Sequence, residues 1–181
     1  MPKTVDLNKL IVDTSRKTPS IIGHTKIMFD TTSILSALIS RIGKSDTKFV
    51  MGCAAWFTNA KIIAALSKLR GVCIICTRDK VARTKTTKAK YRTLPKHDGI
   101  PPIKLLGAGR GRSASLMHHK YLVGMSADQQ PLWVSTGSFN LTESACTNIE
   151  NLMIIESPEI ATVFLKEFQR LYPLSKALSL K

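Results

Sequence analysis

Short apolar runs of strand length alternate with segments of helical periodicity through the first half of the chain. Residues 26–30 (KIMFD) and 48–56 (KFVMGCAAW) are the first two such runs and predict strands. The segment between them predicts a helix that starts at the capping residue Asp30 and ends near Ile42. One face of this helix would collect Leu35, Leu38, Ile39 and Ile42.

The same alternation is repeated before the middle of the chain. Thr58 and Asn59 can cap a helix over residues 60–70, Gly71 ends it, and VCIIC at 72–76 follows as a buried strand. Strands that alternate with helices usually run parallel. The pattern therefore favours an α/β fold with a largely parallel central sheet.

The second half resumes the sheet after an interruption. Residues 78–99 have no periodicity and predict a long loop or a partly disordered segment, and residues 1–24 predict a weakly patterned arm. The other segments predict strands at 102–106, 118–125, 132–138 and 150–156, a helical turn at 140–147, and a helix at 158–171 that Ser157 caps.

Length and composition narrow the class of protein. A chain of 181 residues with 44% hydrophobic residues can form one domain with a proper core, which excludes a wholly disordered protein. No apolar run approaches the roughly 20 residues of a membrane-spanning helix. The N-terminus lacks the pattern of a signal peptide, so we expect a soluble, cytoplasmic protein.

The charge is both high and unevenly distributed. The net charge is +15, which favours a polyanionic partner, nucleic acid before an anionic membrane surface. Close to half of this charge, a net +7, lies within residues 78–96 of what we call the basic segment, residues 78–99. Its cations, opposed within 78–96 only by Asp79, are Arg78, Lys80, Arg83, Lys85, Lys88, Lys90, Arg92 and Lys96.

Metal and nucleotide motifs are weak or absent. GAGRGR at 107–112 does not keep the G-x-G-x-x-G spacing, and the acidic residues do not cluster as a two-metal nuclease requires. Cys73 and Cys76 form a CxxC pair within an apolar run, so burial as small hydrophobic residues is favoured over a metal site or a disulfide. We expect no metal and no cofactor.

Candidate catalytic residues follow in the second half. On a strand, His118 and Lys120 share one face while His119 points to the other. An imidazole beside an ammonium can act as a nucleophile and an electrostatic clamp for a phosphoryl group. After the next predicted strand, Ser138 and Asn140 can donate hydrogen bonds to phosphate oxygens.

Together these motifs resemble the signature of the phospholipase D superfamily, H-x-K-x4-D followed by G-S-x-N. His118-x-Lys120 and Gly137-Ser138-Phe139-Asn140 match it, and Asn148-x-Glu150-Asn151 matches the segment that follows. Over residues 26–172 the chain is most similar to the single-motif members, the Nuc-type endonucleases and the catalytic domain of the BfiI-type restriction enzyme. Two features differ: Met125 replaces the signature Asp, and the hairpin after Lys120 is longer.

The resemblance implies a phospholipase D-like fold, in which helices cover both faces of a mixed, largely parallel sheet. A catalytic domain would span residues 25–181, after an arm at 1–24 of uncertain role. The family reaction needs no metal: one His attacks phosphorus to form a phosphohistidine, and a second His protonates the leaving oxygen. Because this chain has one H-x-K, the second His would come from a symmetry-related subunit, which predicts a homodimer with a shared active site.

The resemblance also assigns roles to individual residues. His118 would be the nucleophile, and Glu150 would orient its ring by binding the other ring nitrogen. Charge on the phosphoryl oxygens would be stabilised by Lys120, Asn140 and Ser138.

The charge selects the substrate class. The basic segment, together with Arg110 and Arg112, would line a groove that binds backbone phosphates without reading sequence. We therefore expect a phosphodiesterase or endonuclease that cleaves DNA or RNA with little sequence specificity. Two alternatives stay open, a hydrolase of phospholipids such as cardiolipin and a nucleic-acid-binding protein whose catalytic site has decayed.

Overall fold

The computed structural model describes residues 20–107 and 116–181. Within these residues, four α-helices flank a single nine-stranded sheet. The strands are β1 (Ser20–Ile22), β2 (Thr25–Met28), β3 (Phe49–Ala54), β4 (Gly71–Thr77), β5 (Ile103–Leu106), β6 (Lys120–Met125), β7 (Pro131–Gly137), β8 (Leu152–Ile155) and β9 (Lys176–Ala177). The helices are α1 (Thr31–Ile42), α2 (Ala60–Leu66), α3 (Lys85–Tyr91) and α4 (Pro158–Leu171), with 3₁₀ turns at Val81–Arg83 and Ser144–Thr147.

The strand order is β1-β2-β8-β7-β6-β3-β4-β5-β9. Only the β3–β4 and β4–β5 pairs are parallel, and every other neighbouring pair in this described sheet is antiparallel. The prediction of a mixed sheet is confirmed, but the prediction that it is largely parallel is wrong.

The error has a topological cause. Strands β2 to β5 do point in one direction, as the alternation with helices predicts. However, β6, β7 and β8 lie between β2 and β3, and each pairs antiparallel with its neighbours. The alternation of strands and helices predicts that two consecutive strands run in the same direction. It does not predict which later strands are inserted between them in the sheet.

Helices lie on both faces of the sheet, as predicted. Side chains of the central strands alternate between two apolar layers, so that Val50 belongs to the layer with α1, α2 and α3, whereas Phe49 belongs to the layer with α4. No helix in the described parts of the chain has both the length and the apolar character needed to cross a membrane.

The predicted helix caps are present. Asp30 Oδ1 accepts from Ser33 N at 2.7 Å, Asn59 Oδ1 accepts from the amides of residues 61 and 62, and Ser157 Oγ accepts from Ile160 N at 3.2 Å. Each interaction satisfies an amide of the first helical turn. The helix predicted to reach residue 70 ends earlier, at Leu66.

The prediction that the basic segment is a long loop or partly disordered is also wrong, because the segment contains a 3₁₀ turn and helix α3. Thr84 Oγ1 accepts from Thr87 N at 3.2 Å and caps α3. Tyr91 is buried, and its hydroxyl donates to the Phe57 carbonyl oxygen. Leu94, further along, is also buried. A few apolar anchors among the lysines therefore hold this segment on the sheet.

The two cysteines of the CxxC pair lie on opposite faces of β4. Cys73 packs in the layer with α4, whereas Cys76 packs in the layer with α1, α2 and α3. Both thiols are buried and reduced, and burial raises the pKa of Cys73 to about 12 and that of Cys76 as well. Residues three apart on a strand cannot bind one metal ion, so the structure favours the structural interpretation.

Candidate active site

The candidate catalytic residues meet at one edge of the sheet. Ala54, the last residue of β3, pairs with Lys120, the first of β6. On the other side of β6, Gly137 at the end of β7 pairs with Leu152 at the start of β8. His118 and Glu150 each precede a strand by two residues, and Ser138 directly follows one. Antiparallel pairing therefore brings segments that are distant in sequence to this edge.

His118 and Lys120 form the centre of the site. The Lys120 Nζ atom lies 3.2 Å from each ring nitrogen of His118 and donates to the His118 carbonyl oxygen at 3.0 Å. His118 is exposed and Lys120 is half-buried. Burial lowers the pKa of Lys120 below its usual 10.5, and the negative charge of Glu150 partly offsets this effect. An imidazole and an ammonium thus lie together at a position that solvent can reach.

The backbone around His118 is fixed from two neighbouring strands. The Thr77 hydroxyl at the end of β4 donates to the Met117 carbonyl oxygen. The amide of Ala55, next to the end of β3, donates to the His119 carbonyl oxygen at 2.9 Å. Because both flanking carbonyls are held, the main chain presents His118 in a defined direction, which is the kind of support a preorganised site requires.

Ser138 and Glu150 belong to a compact polar network. The Ser138 hydroxyl donates to Glu150 Oε2, and Asn148 Nδ2 donates to Glu150 Oε1 at 3.4 Å. The backbone amide of Asn151 donates to Ser138 Oγ at 3.0 Å. Gly137 is required beside this network, because a Cβ atom there would collide with the Asn151 carbonyl oxygen.

This network bears on the expected role of Glu150. The two carboxylate oxygens of Glu150 accept hydrogen bonds from Ser138 and Asn148. No hydrogen bond from Glu150 to the His118 ring is found among the described residues, so the expected contact with the second ring nitrogen is not observed. The negative charge of Glu150 nevertheless affects the site, because it favours the protonated form of Lys120.

Asn140 contributes an unsatisfied polar atom. Its neighbour Phe139 is fully buried and anchors the turn after β7. The side-chain oxygen of Asn140 is also buried, and it has no hydrogen-bond partner in the described part of the chain. Buried polar atoms are usually paired, so this carboxamide is suited to a polar ligand.

His119 lies toward α4, on the other side of the sheet from the Lys120 ammonium. Its Nε2 atom is 3.4 Å from Glu167 Oε1 on α4, and its ring lies 5.8 Å from that of Tyr121. The two histidines precede β6, and they contact different partners: His118 lies beside Lys120, whereas His119 lies beside Glu167.

Trp56 and Asp79 join the site although no sequence motif marks them. The ring of Trp56 contacts that of His118 edge-to-face, with centroids 5.5 Å apart and planes at 81°, and its Nε1 donates to Asp79 Oδ2 at 2.7 Å. Each residue lies two positions after the end of a strand, β3 or β4. Binding residues often follow the carboxyl ends of adjacent parallel strands, and this signal could have found them.

The basic segment reaches the same edge of the sheet. Residues 56–58 connect the two regions, since Trp56 contacts His118 and the carbonyl of Thr58 accepts from Lys90 Nζ at 3.0 Å. Arg92 Nε donates to the Leu180 carbonyl oxygen at 2.7 Å, so Lys90 and Arg92 also hold the fold together. Arg78, Lys88 and Lys90 are half-buried, and the exposed cations of the segment are Lys80, Arg83, Lys85, Arg92 and Lys96. Arg110 and Arg112 lie outside the described residues.

Met125 lies at the opposite end of β6 from the site. It is 2% exposed and packs in the layer with α4. Near this end of the sheet, the buried Arg41 guanidinium forms ion pairs with Asp46 at 2.8 Å and Glu156 at 2.7 Å, and it lies 5.0 Å from the Trp133 ring centroid. The end of the strand where the signature has Asp is thus occupied here by an apolar side chain.

In residues 20–107 and 116–181, no group of three or more His, Cys, Asp and Glu side chains is arranged to hold a metal ion. The charge beside His118 comes from Lys120. The site therefore combines an imidazole, an ammonium, an amide and a hydroxyl with one carboxylate, which is a set suited to phosphoryl chemistry.

This fold and this site define a phospholipase D-like domain. The family model described as "Cardiolipin synthase, PLD-like domain" matches residues 38–172, about three quarters of the chain, and the chain belongs to this family. The prediction of phospholipase D superfamily membership is confirmed. The matched range includes His118, Lys120, Ser138, Asn140 and Glu150.

Individual proteins extend the comparison. Uncharacterized protein L381 of Acanthamoeba polyphaga mimivirus is 28% identical over 80% of this chain, which spans only 64% of that protein's length. Among solved structures, NucT from Helicobacter pylori matches with a TM-score of 0.66 and 18% identity. Nuc from Salmonella typhimurium, a phospholipase D family member, matches with a TM-score of 0.59 and 20% identity. Each match covers 85% of this chain and 98% of the other, and at these identities it shows a shared fold.

Proposed function

We propose that this protein is a metal-independent phosphodiesterase of the nuclease branch, which cleaves DNA or RNA through a phosphohistidine intermediate and with little sequence specificity. The observation that carries the proposal is the position of Lys120 Nζ, 3.2 Å from the His118 ring nitrogens, at the sheet edge that the basic segment also reaches. The fold shared with Nuc and NucT supports the same branch.

In the first step, a ring nitrogen of His118 attacks phosphorus. A P–N bond forms, the P–O bond to the leaving oxygen breaks, and that oxygen takes a proton from a second His. Lys120 stabilises the charge on the non-bridging oxygens, assisted by the amide of Asn140. Ser138 assists when its single hydroxyl proton, which it donates to Glu150 in the absence of substrate, turns to a phosphoryl oxygen. Glu150 supports this arrangement because it accepts from Ser138 and favours the protonated form of Lys120.

In the second step, water attacks phosphorus and the P–N bond breaks. The second His removes the proton from this water, which restores both histidines to their starting states. We assign this role to His118 of a second copy, because His119 of the same chain lies toward Glu167 on α4. The active form is then a two-fold homodimer.

Nucleic acid is favoured as the substrate because of where the cations lie. Lys80, Arg83 and Lys85 are exposed on a segment that is packed against residues 56–58, next to His118. Contacts of lysine and arginine with phosphates supply affinity without sequence specificity. We assign the catalytic domain to residues 25–181, although β1 already begins at Ser20.

The test is a cleavage assay in excess EDTA with plasmid DNA, single-stranded DNA and RNA, and in parallel with vesicles that contain cardiolipin. We expect the nucleic acids to be cut and His118→Ala, purified identically, to be inactive. Hydrolysis of cardiolipin to phosphatidic acid and phosphatidylglycerol without nucleic-acid cleavage supports the phospholipid alternative. Binding without any cleavage supports the decayed-site alternative. Loss of cleavage on EDTA addition contradicts the mechanism.

The homodimer has its own test. Sedimentation velocity at micromolar concentration should give the mass of two chains, and the specific activity should fall on dilution through the dissociation range. A monomer whose specific activity is independent of protein concentration contradicts the shared site.

A further inference from the structure

We propose that Trp56 is a positioning residue that holds the His118 imidazole in its attacking orientation, and that Asp79 fixes Trp56 in turn. This inference rests on the proposed phosphodiesterase function, which it deepens. It depends on one chain of contacts, from the carboxylate of Asp79 through the indole of Trp56 to the ring of His118.

The main chain alone leaves the His118 ring incompletely restrained. The Met117 and His119 carbonyls are held by Thr77 and Ala55, which fixes the Cα position. The side chain is exposed, however, and Lys120 Nζ lies at equal distances from its two nitrogens. That contact does not select one ring orientation. An edge-to-face aromatic contact has a defined geometry, and Trp56 supplies it, with planes at 81°.

Trp56 is itself well anchored. Its Nε1 donates to Asp79 Oδ2 at 2.7 Å, and Asp79 Oδ1 accepts from Ala82 N at 2.9 Å. Both carboxylate oxygens are therefore engaged, one with the indole and one with the first turn of the basic segment. The indole cannot rotate without breaking a charge-assisted hydrogen bond. The segment that would bind nucleic acid is thus connected to His118 by two side chains, those of Asp79 and Trp56.

The same geometry argues against a role for Trp56 as a stacking platform for bases. Such platforms present an open ring face to the nucleic acid, whereas this indole is half-buried, bonded at Nε1 and in contact with His118. Positioning and stacking also have different kinetic consequences. Misplacing a reacting group lowers the rate of the chemical step, whereas removal of a stacking partner weakens binding.

The variants Trp56→Ala, Trp56→Phe and Asp79→Asn separate these roles. We expect Trp56→Ala to lower the single-turnover rate at saturating substrate by roughly 10- to 100-fold, with substrate Kd little changed. Trp56→Phe keeps a ring beside His118 and should recover most of the rate. Asp79→Asn keeps only one acceptor oxygen and should fall between them. A weakened Kd with an unchanged rate, or full activity of Trp56→Ala, overturns the proposal.

A second readout does not depend on activity. In NMR spectra without substrate, nuclear Overhauser effects should connect the ring protons of Trp56 and His118. The His118 ring protons should move toward their unfolded-peptide positions in Trp56→Ala but not in Trp56→Phe. If wild type cleaves nothing, the proposed function fails while these spectra still decide the contact. Unchanged His118 resonances in Trp56→Ala overturn the positioning role.

Discussion

The ammonium of Lys120 lies 3.2 Å from both ring nitrogens of His118 and is anchored on the carbonyl oxygen of that same residue at 3.0 Å. The equal distances mean that the cation is not directed at one ring nitrogen as a hydrogen-bond partner. The contact with the carbonyl keeps the cation close to both ring nitrogens. In the mechanism we propose, Lys120 attracts a phosphoryl oxygen toward the attacking nitrogen of His118.

The first prediction concerns the alkaline limb of the pH–rate profile. Burial lowers the pKa of Lys120 below 10.5, so the single-turnover rate should fall with a midpoint below that value as the ammonium loses its proton. Lys120→Arg should remove this limb, because a guanidinium stays protonated. Rates measured from pH 7 to 10.5 in both proteins provide the check.

Unfolding driven by the titration of Lys120 cannot mimic that limb. Between the folded and unfolded pKa values the unfolded chain binds more protons at Lys120, so this residue's contribution to stability rises with pH. A decline in rate between these two pKa values is therefore due to deprotonation of Lys120 in the folded protein and not to its effect on stability. An alkaline limb that is unchanged in Lys120→Arg would assign the titration to another group.

The second prediction concerns Met125. Its side chain is 2% exposed beside Phe49, so Met125→Asp buries a carboxylate among apolar groups and should cost at least about 2 kcal/mol in the free energy of unfolding. Met125→Leu, the matched control, should cost less than about 1.5 kcal/mol. Urea titrations measure both.

The same variant should leave the turnover of the folded protein nearly unchanged. Met125 and Lys120 are at opposite ends of β6, roughly 17 Å apart at about 3.4 Å per residue. A rise in rate of several orders of magnitude in Met125→Asp would show instead that the natural site is impaired by the missing Asp.

Local hydrogen bonds explain which parts of the fold could be predicted. The caps at Asp30, Asn59 and Ser157 involve amides two or three residues away, so a short window of sequence contains both partners. The pairing of β2 with β8 joins residues 25–28 to 152–155, and no local pattern encodes it. The proportion of parallel pairs was therefore overestimated.

The basic segment shows a different limit. In α3 the buried residues are Thr87 and Tyr91, one turn apart among lysines, which is too few to produce a visible apolar face. The helix is stabilised by tertiary contacts, including that of Tyr91 with Phe57. The spacing of apolar residues in α3 is too weak a pattern to distinguish this helix from a loop.

The site was predictable only where a linear motif carries it. His118, Lys120, Ser138, Asn140 and Glu150 lie in short motifs and are brought to one edge of the sheet. The contact of Trp56 with His118 depends on the adjacency of β3 and β6, and Asp79 reaches Trp56 because β4 is the next strand. No linear motif marks the two residues, and the available signal is that each follows the carboxyl end of a strand by two positions.

The third prediction concerns affinity for nucleic acid. Exchanging Lys80, Arg83 and Lys85 together for Gln should weaken binding to all sequences alike. It should also reduce the slope of log K against log salt by about 0.9 for each duplex phosphate that the protein no longer neutralises. Lys90 and Arg92 are unsuitable for this test because they also bond to backbone carbonyls. Fluorescence anisotropy over a range of salt concentrations gives the slope.

A matched control removes the same charge elsewhere. Lys44, Lys68 and Arg70 lie near the starts of β3 and β4, at the edge opposite the site. Their exchange for Gln lowers the net charge equally but should leave the slope almost unchanged. Equal effects of the two triple variants would mean that binding follows net charge and not the basic segment.

The last prediction separates the two adjacent histidines. His118→Ala removes the attacking nitrogen, so turnover should fall to background, while nucleic-acid Kd stays within a few fold because affinity comes mainly from the cations. His119→Ala removes a half-exposed contact of 3.4 Å with Glu167 and should retain most of the activity, at a cost of at most about 1 kcal/mol in stability. Reactions quenched at short times and mapped by mass spectrometry under conditions that preserve phosphoramidates should carry phosphate on His118 and not on His119. The two variants control for each other because His118 and His119 are neighbours in sequence. A general disturbance of this segment would lower the activity of both variants equally. Equal loss of turnover in the two variants, or phosphate on His119, would reverse the assignment of the nucleophile.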